Sequence, residues 1–349
     1  MSYWREKEIA IQAVTRATVL CEAVQAEMTR VESLKKGDRS PVTIADFGVQ
    51  ALICRLLKDA FPQDPIVGEE DAQTLRDPTN AAMLAQVTGY VQRFFASATP
   101  ASVCRWIDAG SGGAAKDAGS GGAAKDAGSG GAVAERFWTL DPIDGTKGFL
   151  RNDQYAVALA LIEHGETKVA VLGCPALPSR LGLEQAEGDR GVLFTAIREE
   201  GAEMASLGDE DFERIHVSQP NDRDRWRFVE SVEASHGNPV LQEAVAQAVG
   251  FVSPPLKLDS QAKYGAVARG DAALYLRLPS PQTPGYREKI WDHAAGALIV
   301  EEAGGRVTDM HGKRLNLAAG HRMENNRGVV VSNGIVHTAV LQALKIAVE

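Results

Sequence analysis

The chain has 349 residues, more than a typical single domain, with 44% hydrophobic and 24% charged residues, which is ample for a sizeable core. Its formal net charge of -9 argues against broad, sequence-independent nucleic-acid binding, which needs a basic face. An anionic small molecule stays within reach, because bound cations can reverse the local sign.

Apolar positions at helical spacing, including Ile9, Val14, Val19, Val24 and Met28, predict a long helix from about Tyr3 to Ser33. No apolar signal core precedes it, and no run reaches the length of a transmembrane span. Gly37 and Pro41 break that helix. A second helix opens near Thr43, with Asp46 in its first turn. "FPQDPIVGEED" reads as a turn, a short buried strand and an acidic exit, and a further helix is expected over Asn80 to Ala96. "DAGSGGAAK" then starts at Asp108 and repeats at Asp117 and Asp126. Such Gly/Ala/Ser content predicts a flexible surface loop over about 108–132 with no chemistry of its own. "RFWTLDPIDGT" is a strand running into a helix start. "YAVALALIEHGETKVAVLGCPAL" gives two strands joined by a turn at His164-Gly165, and shorter strands follow to about Val217. After Ser218 strands alternate with helices, so an N-terminal unit 1–217 and an α/β unit 218–349 are expected. "DHAAGALIVEEAGG" is a helix ending at Gly304-Gly305. Cys21, Cys54, Cys104 and Cys174 show no CxxC spacing and are read as reduced thiols of a cytoplasmic protein, or of an organelle if a transit peptide has been removed.

The chemistry concentrates in "DPIDGT". Asp141 and Asp144 at the end of a strand, with the Ile143 carbonyl between them, offer oxygens to a hard divalent cation such as Mg²⁺. Gly145 and Thr146 start the next helix, whose free amides can seat an anion. Metal ligands and a phosphate cradle would thus lie side by side. Taken alone, Asp in such a turn is more often an N-cap. Three further acidic sites at element ends, Asp46, Glu69 in "IVGEED" and Asp292 in "IWDHAAG", could converge with it.

"GEED", "DPIDGTKGF" and "WDHAAGALIVEEAGG", in that order, resemble the lithium-sensitive, magnesium-dependent phosphomonoesterases of the inositol monophosphatase and fructose-bisphosphatase superfamily. "SPVTIADFGVQALI", the TKGF form of the motif, "ESVEASHGN" and "DSQAKYGAVARGDAALYLRLP" look like its eukaryotic 3'(2'),5'-bisphosphate nucleotidases. The resemblance implies an α+β or α/β chain folded as a five-layer αβαβα sandwich, an antiparallel sheet followed by a mixed one, with the site between two domains. It implies two or three Mg²⁺ held by Glu69, Asp141, the Ile143 carbonyl, Asp144 and Asp292, and water activated by Asp46 and Thr146. Gly145, Thr146, His236, Ser260, Lys263 and Arg277 would contact substrate. The implied substrate is adenosine 3',5'-bisphosphate, cleaved to AMP, with 3'-phosphoadenylyl sulfate also accepted. A monomer without nucleic-acid or membrane partners is expected. An inositol phosphatase and a catalytically inactive nucleotide sensor are the alternatives.

Overall fold

A computed structural model describes residues 2–30, 40–111, 134–179, 191–221, 226–233, 237–318 and 320–348. The break at Gly37, His236 and the repeat beyond residue 111 lie outside the described residues.

Helices α1 (Trp4–Arg30) and α2 (Ser40–Ala60) come first, then β1 (Ile66–Gly68), α3 (Gln73–Arg76), α4 (Ala81–Gln92) and α5 (Pro100–Asp108). Next come β2 (Arg136–Asp144), α6 (Thr146–Leu150), β3 (Ala156–Glu163), β4 (Glu166–Cys174), β5 (Val192–Ile197), β6 (Gly201–Ser206) and β7 (Glu213–Arg214). The remainder is β8 (Phe228–Glu230), α7 (Pro239–Ala248), β9 (Leu256–Lys257), α8 (Ala262–Ala268), β10 (Leu274–Arg277), α9 (Ala294–Glu302), β11 (Arg306–Thr308), β12 (Val329–Ser332) and α10 (His337–Val348).

Strands β1 to β7 form one sheet in sequence order; β8 to β12 form a second, ordered β11-β12-β10-β8-β9. Helices α1 and α2 cover the outer face of the first sheet, α8 and α9 lie between the sheets, and α7 and α10 cover the outer face of the second. That is the five-layer αβαβα sandwich. The second sheet is mixed, as expected. The first is not wholly antiparallel, because β1 joins β2 in parallel.

The alternation in "AVALALIE" builds two cores at once. Val157, Leu159 and Leu161 pack with α1 and α2, while Ala156, Ala158, Ala160 and Ile162 pack with α8 and α9. A sheet covered on both faces needs apolar residues at successive positions, which explains the unbroken run. His164 and Gly165 take φ of 52° and 78°, the turn conformation that suits a tight hairpin. Gly304, at φ 91°, lets its own amide reach Glu301 O and that of Gly305 reach Val300 O, closing α9 as a C-cap.

Several expectations change. The buried stripe of α1 is Ala10, Ala13, Val14, Ala17, Leu20, Cys21 and Val24, whereas Val19 is exposed. Steps of five residues walk around a helix; steps of three and four keep one face. Helix α2 starts at Ser40, so Pro41 lies in its first turn, where a missing N–H is tolerated, and Asp46 falls in the second turn. Helix α4 ends at Gln92, short of Ala96. Helix α5 was not expected; its signal is Thr99-Pro100 with a reciprocal Thr99–Ser102 capping box. The repeat therefore does not begin as a loop: Asp108 is the last residue of a helix. All four cysteines are buried and free. Among the described residues, no helix is long and apolar enough to cross a membrane.

Candidate functional site

Parallel pairing brings the ends of β1 and β2 out at the same edge, so Glu69 leaves beside Asp141. Residues three apart on a regular strand point to opposite faces. Here the β2–β3 register slips between Asp141 and Asp144, and that irregularity turns both carboxylates to one cavity. The cavity measures about 370 Å³. Glu69, Asp141, Ile143, Asp144 and Asp292 line one part of it. Gly145, Thr146, Ser260, Lys263 and Arg277 are among the other lining residues. Asp46 does not line it, but its charge is felt at Asp141. Asp292 precedes α9, whose N-cap is His293, so it is not the capping residue.

The electrostatics are those of a crowd of acids. Burial raises Asp141 far above the usual carboxylate range, and the charges of Glu69, Asp144, Asp292 and Asp46 add to it. Glu69 is pushed up to about 7 by withdrawal from water, with Glu70 and Asp144 adding and a hydrogen bond with Asp141 opposing. Asp292 is raised to about 7, first by burial and also by Asp144, with His293 and Arg277 opposing. Asp46 is raised by burial and by Glu70 and Glu69. The Oδ1 of Asp141 is buried without a hydrogen-bond partner. A buried orphan carboxylate oxygen among other acids is a donor set suited to a hard cation with oxygen ligands.

Two glycines make room for this arrangement. Gly145 has φ 87°, and a Cβ on it would stand 2.9 Å from Ser260 Cβ. A Cβ on Gly148 would stand 1.9 Å from Gln154 O. Gly145 caps α6 without any side-chain hydrogen bond.

The facing wall comes from the second sheet and α8. Ser260 has φ 62°, and its neighbour Gln261 donates its N–H to Asp144 Oδ2 at 2.6 Å. Gln261 also donates from Nε2 to Trp291 O (2.9 Å) and accepts from Gly296 N–H (3.1 Å). One residue thus fixes Asp144 through its backbone N–H, and the approach to Asp292 and the start of α9 through its side chain. Lys263 is buried, with Nζ 5.2 Å from the Tyr275 ring centroid. Burial lowers its pKa to about 8, with Asp144 opposing and Arg277 adding. No carboxylate pairs with it among the described residues. Arg277 Nε donates to Glu288 Oε2 at 3.0 Å, and His293 Nε2 lies 3.3 Å from the same oxygen. The other ring nitrogen, Nδ1, meets the Tyr264 hydroxyl at 2.6 Å. Burial would raise Glu288, yet Arg277 and His293 outweigh it and hold the carboxyl at about 2. Glu288, Asp292 and His293 lie close enough to share an ion. Glu288 and His293 already serve Arg277 and Tyr264; Asp292 and His293 line the cavity, and Asp292 brings the carboxylate. At the mouth, Glu233 binds Lys147 (2.8 Å) and Arg151 (2.6 Å), and Arg151 also reaches Asp259.

Sequence reasoning missed Gln50, Gln261, Glu288 and the Lys147–Glu233–Arg151 rim. For the rim a signal existed, two cations four residues apart within "TKGFLR". For buried glutamines there was none.

A family model described as the inositol monophosphatase family matches residues 115–349. The chain is 43% identical to a 3'(2'),5'-bisphosphate nucleotidase of Schizosaccharomyces pombe, over 98% of this chain and 96% of the other. A protein of the same description from Oryza sativa is 39% identical over 99% and 95%. Among solved structures, the inositol monophosphatase of Anabaena superposes with a TM-score of 0.59 at 18% identity, covering 99% of this chain and 97% of that one. CysQ from Bacteroides thetaiotaomicron gives 0.56 at 19% identity, covering 95% and 97%.

Proposed function

The chain belongs to the inositol monophosphatase family, and on that premise we propose that it is a magnesium-dependent phosphatase that hydrolyses the 3'-phosphate of adenosine 3',5'-bisphosphate to give AMP. The observation that carries this reading is the meeting, in one cavity, of a carboxylate cluster with Lys263 and Arg277. A monophosphate needs only the metal cluster. A bisphosphate gives two further cations something to hold. 3'-Phosphoadenylyl sulfate carries the same 3'-phosphate and fits the same reading.

Glu69, Asp141, the Ile143 carbonyl, Asp144 and Asp292 would hold two or three Mg²⁺. Bound magnesium supplies charge that eases deprotonation of an attacking water and offsets charge on the leaving oxygen. The chain's own groups do the rest. Thr146 orients the water from the cavity wall, Asp46 acts on it from outside the lining through its charge at Asp141, and Gly145 offers a backbone free of side chain to the phosphate. Ser260, Lys263 and Arg277 hold the nucleotide end, with His236 as a further contact. Glu288 keeps Arg277 in place. We read the working unit as a monomer, with the cavity at the junction of segments 1–217 and 218–349.

The test is a phosphate-release panel with Mg²⁺, with and without Li⁺, on adenosine 3',5'-bisphosphate, 3'-phosphoadenylyl sulfate, inositol 1-phosphate and inositol 1,4-bisphosphate. Fastest turnover on the adenosine compounds, suppressed by Li⁺, is expected. Faster turnover on inositol phosphates would overturn the substrate, and tight nucleotide binding without turnover in saturating Mg²⁺ would overturn the enzyme.

A further inference from the structure

Gln50 lies on α2 four residues after Asp46, on the same helix face, and is fully buried. Both polar atoms of its carboxamide are engaged. Oε1 accepts the Glu70 N–H at 3.0 Å, and Nε2 donates to Ile107 O at 3.0 Å and to Glu70 O. Both backbone groups of Glu70 are therefore taken by one side chain, as a neighbouring strand would take them. Strand β1 ends at Gly68, where its pairing with β2 stops. Gln50 continues the ladder for a segment that no strand accompanies.

The surroundings are shaped for it. A Cβ on Gly68 would stand 2.5 Å from Gln50 Oε1, and one on Gly110 would stand 2.8 Å from Nε2. Gly68 N–H donates to Gly110 O at 2.9 Å, and Ala72 N–H donates to Asp108 Oδ1 at 2.9 Å. Segment 68–72 is thus tied by its backbone on both sides of Glu69, whose side chain goes to the cavity.

We propose that Gln50 is a positioning residue that holds the Glu69–Glu70 segment in place and thereby sets the protein's affinity for magnesium. This rests on the reading of Glu69 as a ligand. Residues that orient ligands without touching the ion typically change metal affinity 10- to 100-fold when replaced.

The experiment is calorimetric titration of Mg²⁺ alone into wild type, Gln50→Leu and Gln50→Glu, followed by kinetics at varied Mg²⁺. Gln50→Leu keeps most of the volume and loses all three bonds; Gln50→Glu keeps the bond from Glu70 N–H and loses both donations. Asn326→Leu is the matched control. Its buried carboxamide also makes three bonds, to Asp309, Arg314 and Asn316, in a loop that does not line the cavity. Expected is an Mg²⁺ Kd raised about tenfold or more in both Gln50 variants. Turnover should return at high Mg²⁺, the substrate KM there should be unchanged, and Asn326→Leu should keep the wild-type Kd. If Gln50→Leu does not fold, Gly110→Ala, which crowds Nε2, carries the same measurement. Folded Gln50 variants with wild-type Mg²⁺ affinity, or a rise no larger than in Asn326→Leu, overturn the proposal. A wild type that binds no Mg²⁺ overturns the reading beneath it as well.

Discussion

Asp144 shows what one carboxylate contributes beyond its volume. Its Oδ2 accepts the Gln261 N–H at 2.6 Å, a bond an asparagine oxygen can keep. Asp144→Asn therefore removes a charge from the cluster and little else. Phosphate release should fall at least about 100-fold, on the order of 3 kcal/mol, with the melting temperature almost unchanged. Wild-type turnover in that variant would count against the metal scheme. Lys263 offers the complementary test. Its ammonium is buried and pairs with no carboxylate among the described residues, so a substrate phosphate is the partner that would complete it. Lys263→Ala should raise the KM for adenosine 3',5'-bisphosphate about tenfold, near 1.4 kcal/mol, and that for 3'-AMP far less. Equal effects on both would sink the nucleotide assignment. The acids of the cavity were legible in the sequence, because aspartates and glutamates at strand ends carry their chemistry in their names. Gln50 and Gln261 were not. A glutamine inside or ahead of a helix says nothing about its partner until the partner arrives from residues 20 or 35 positions away.

Among the elements, α6 is the most constrained for its size. It has five residues, and the 1.9 Å approach of a Gly148 Cβ to Gln154 O means that no side chain fits there. Gly148→Ala must displace α6 or the 153–155 segment, and with them Gly145 and Thr146. Turnover should drop more than ten-fold, on the order of 1.4 kcal/mol or more, accompanied by a lower melting temperature. Full activity in a folded Gly148→Ala protein would show that α6 does not set the site. The repeat makes a second test of an element. Read as low complexity from Asp108, it invites deletion of Ala109 to Gly131 with activity unchanged. The structure moves that boundary. Asp108 accepts the Ala72 N–H, Gly110 O accepts the Gly68 N–H, and Ser111 Oγ donates to Glu70 O at 3.4 Å. A short Gly/Ser linker in place of residues 112–133 should leave kcat and Mg²⁺ dependence as in wild type. Extending the cut to Ala109 should raise the Mg²⁺ needed for half-maximal rate. Identical Mg²⁺ curves for the two deletions would refute the coupling. The β3–β4 hairpin was legible because period-two alternation and a His-Gly turn are local signals; α5 was not, because its last residue is also the first of the repeat.

For the whole molecule, sequence periodicity could mark helices and strands but could not place α8 and α9 between two sheets. That layer is set by packing across the chain, and only the family resemblance anticipated it. It matters because it presses Asp292 and Lys263 against the acids at the ends of β1 and β2 and withdraws Asp141 and Asp292 from water. A consequence follows for stability. Glu69 and Asp292, each raised to about 7, favour the protonated form in the folded protein. Groups with raised folded pKa contribute stability that is fully present below their unfolded values near 4 and lost as pH rises through about 7. The loss is at most roughly 1.4 kcal/mol per pH unit for each proton held, and less for Glu69, which stands at the solvent edge of the cavity. His337 works in the opposite sense: burial, with Arg306 adding, lowers it to about 4, so its contribution is lost as pH falls below about 6.5. The bare melting temperature mixes the two. The gain on adding Mg²⁺ separates them, because the ion competes with protons at the carboxylates and not at His337. Saturating Mg²⁺ should raise the melting temperature by several degrees at pH 8 and by much less at pH 5.5. Asp141→Asn should flatten the difference. An equal gain at both pH values in wild type would mean that the ion binds somewhere other than this cluster.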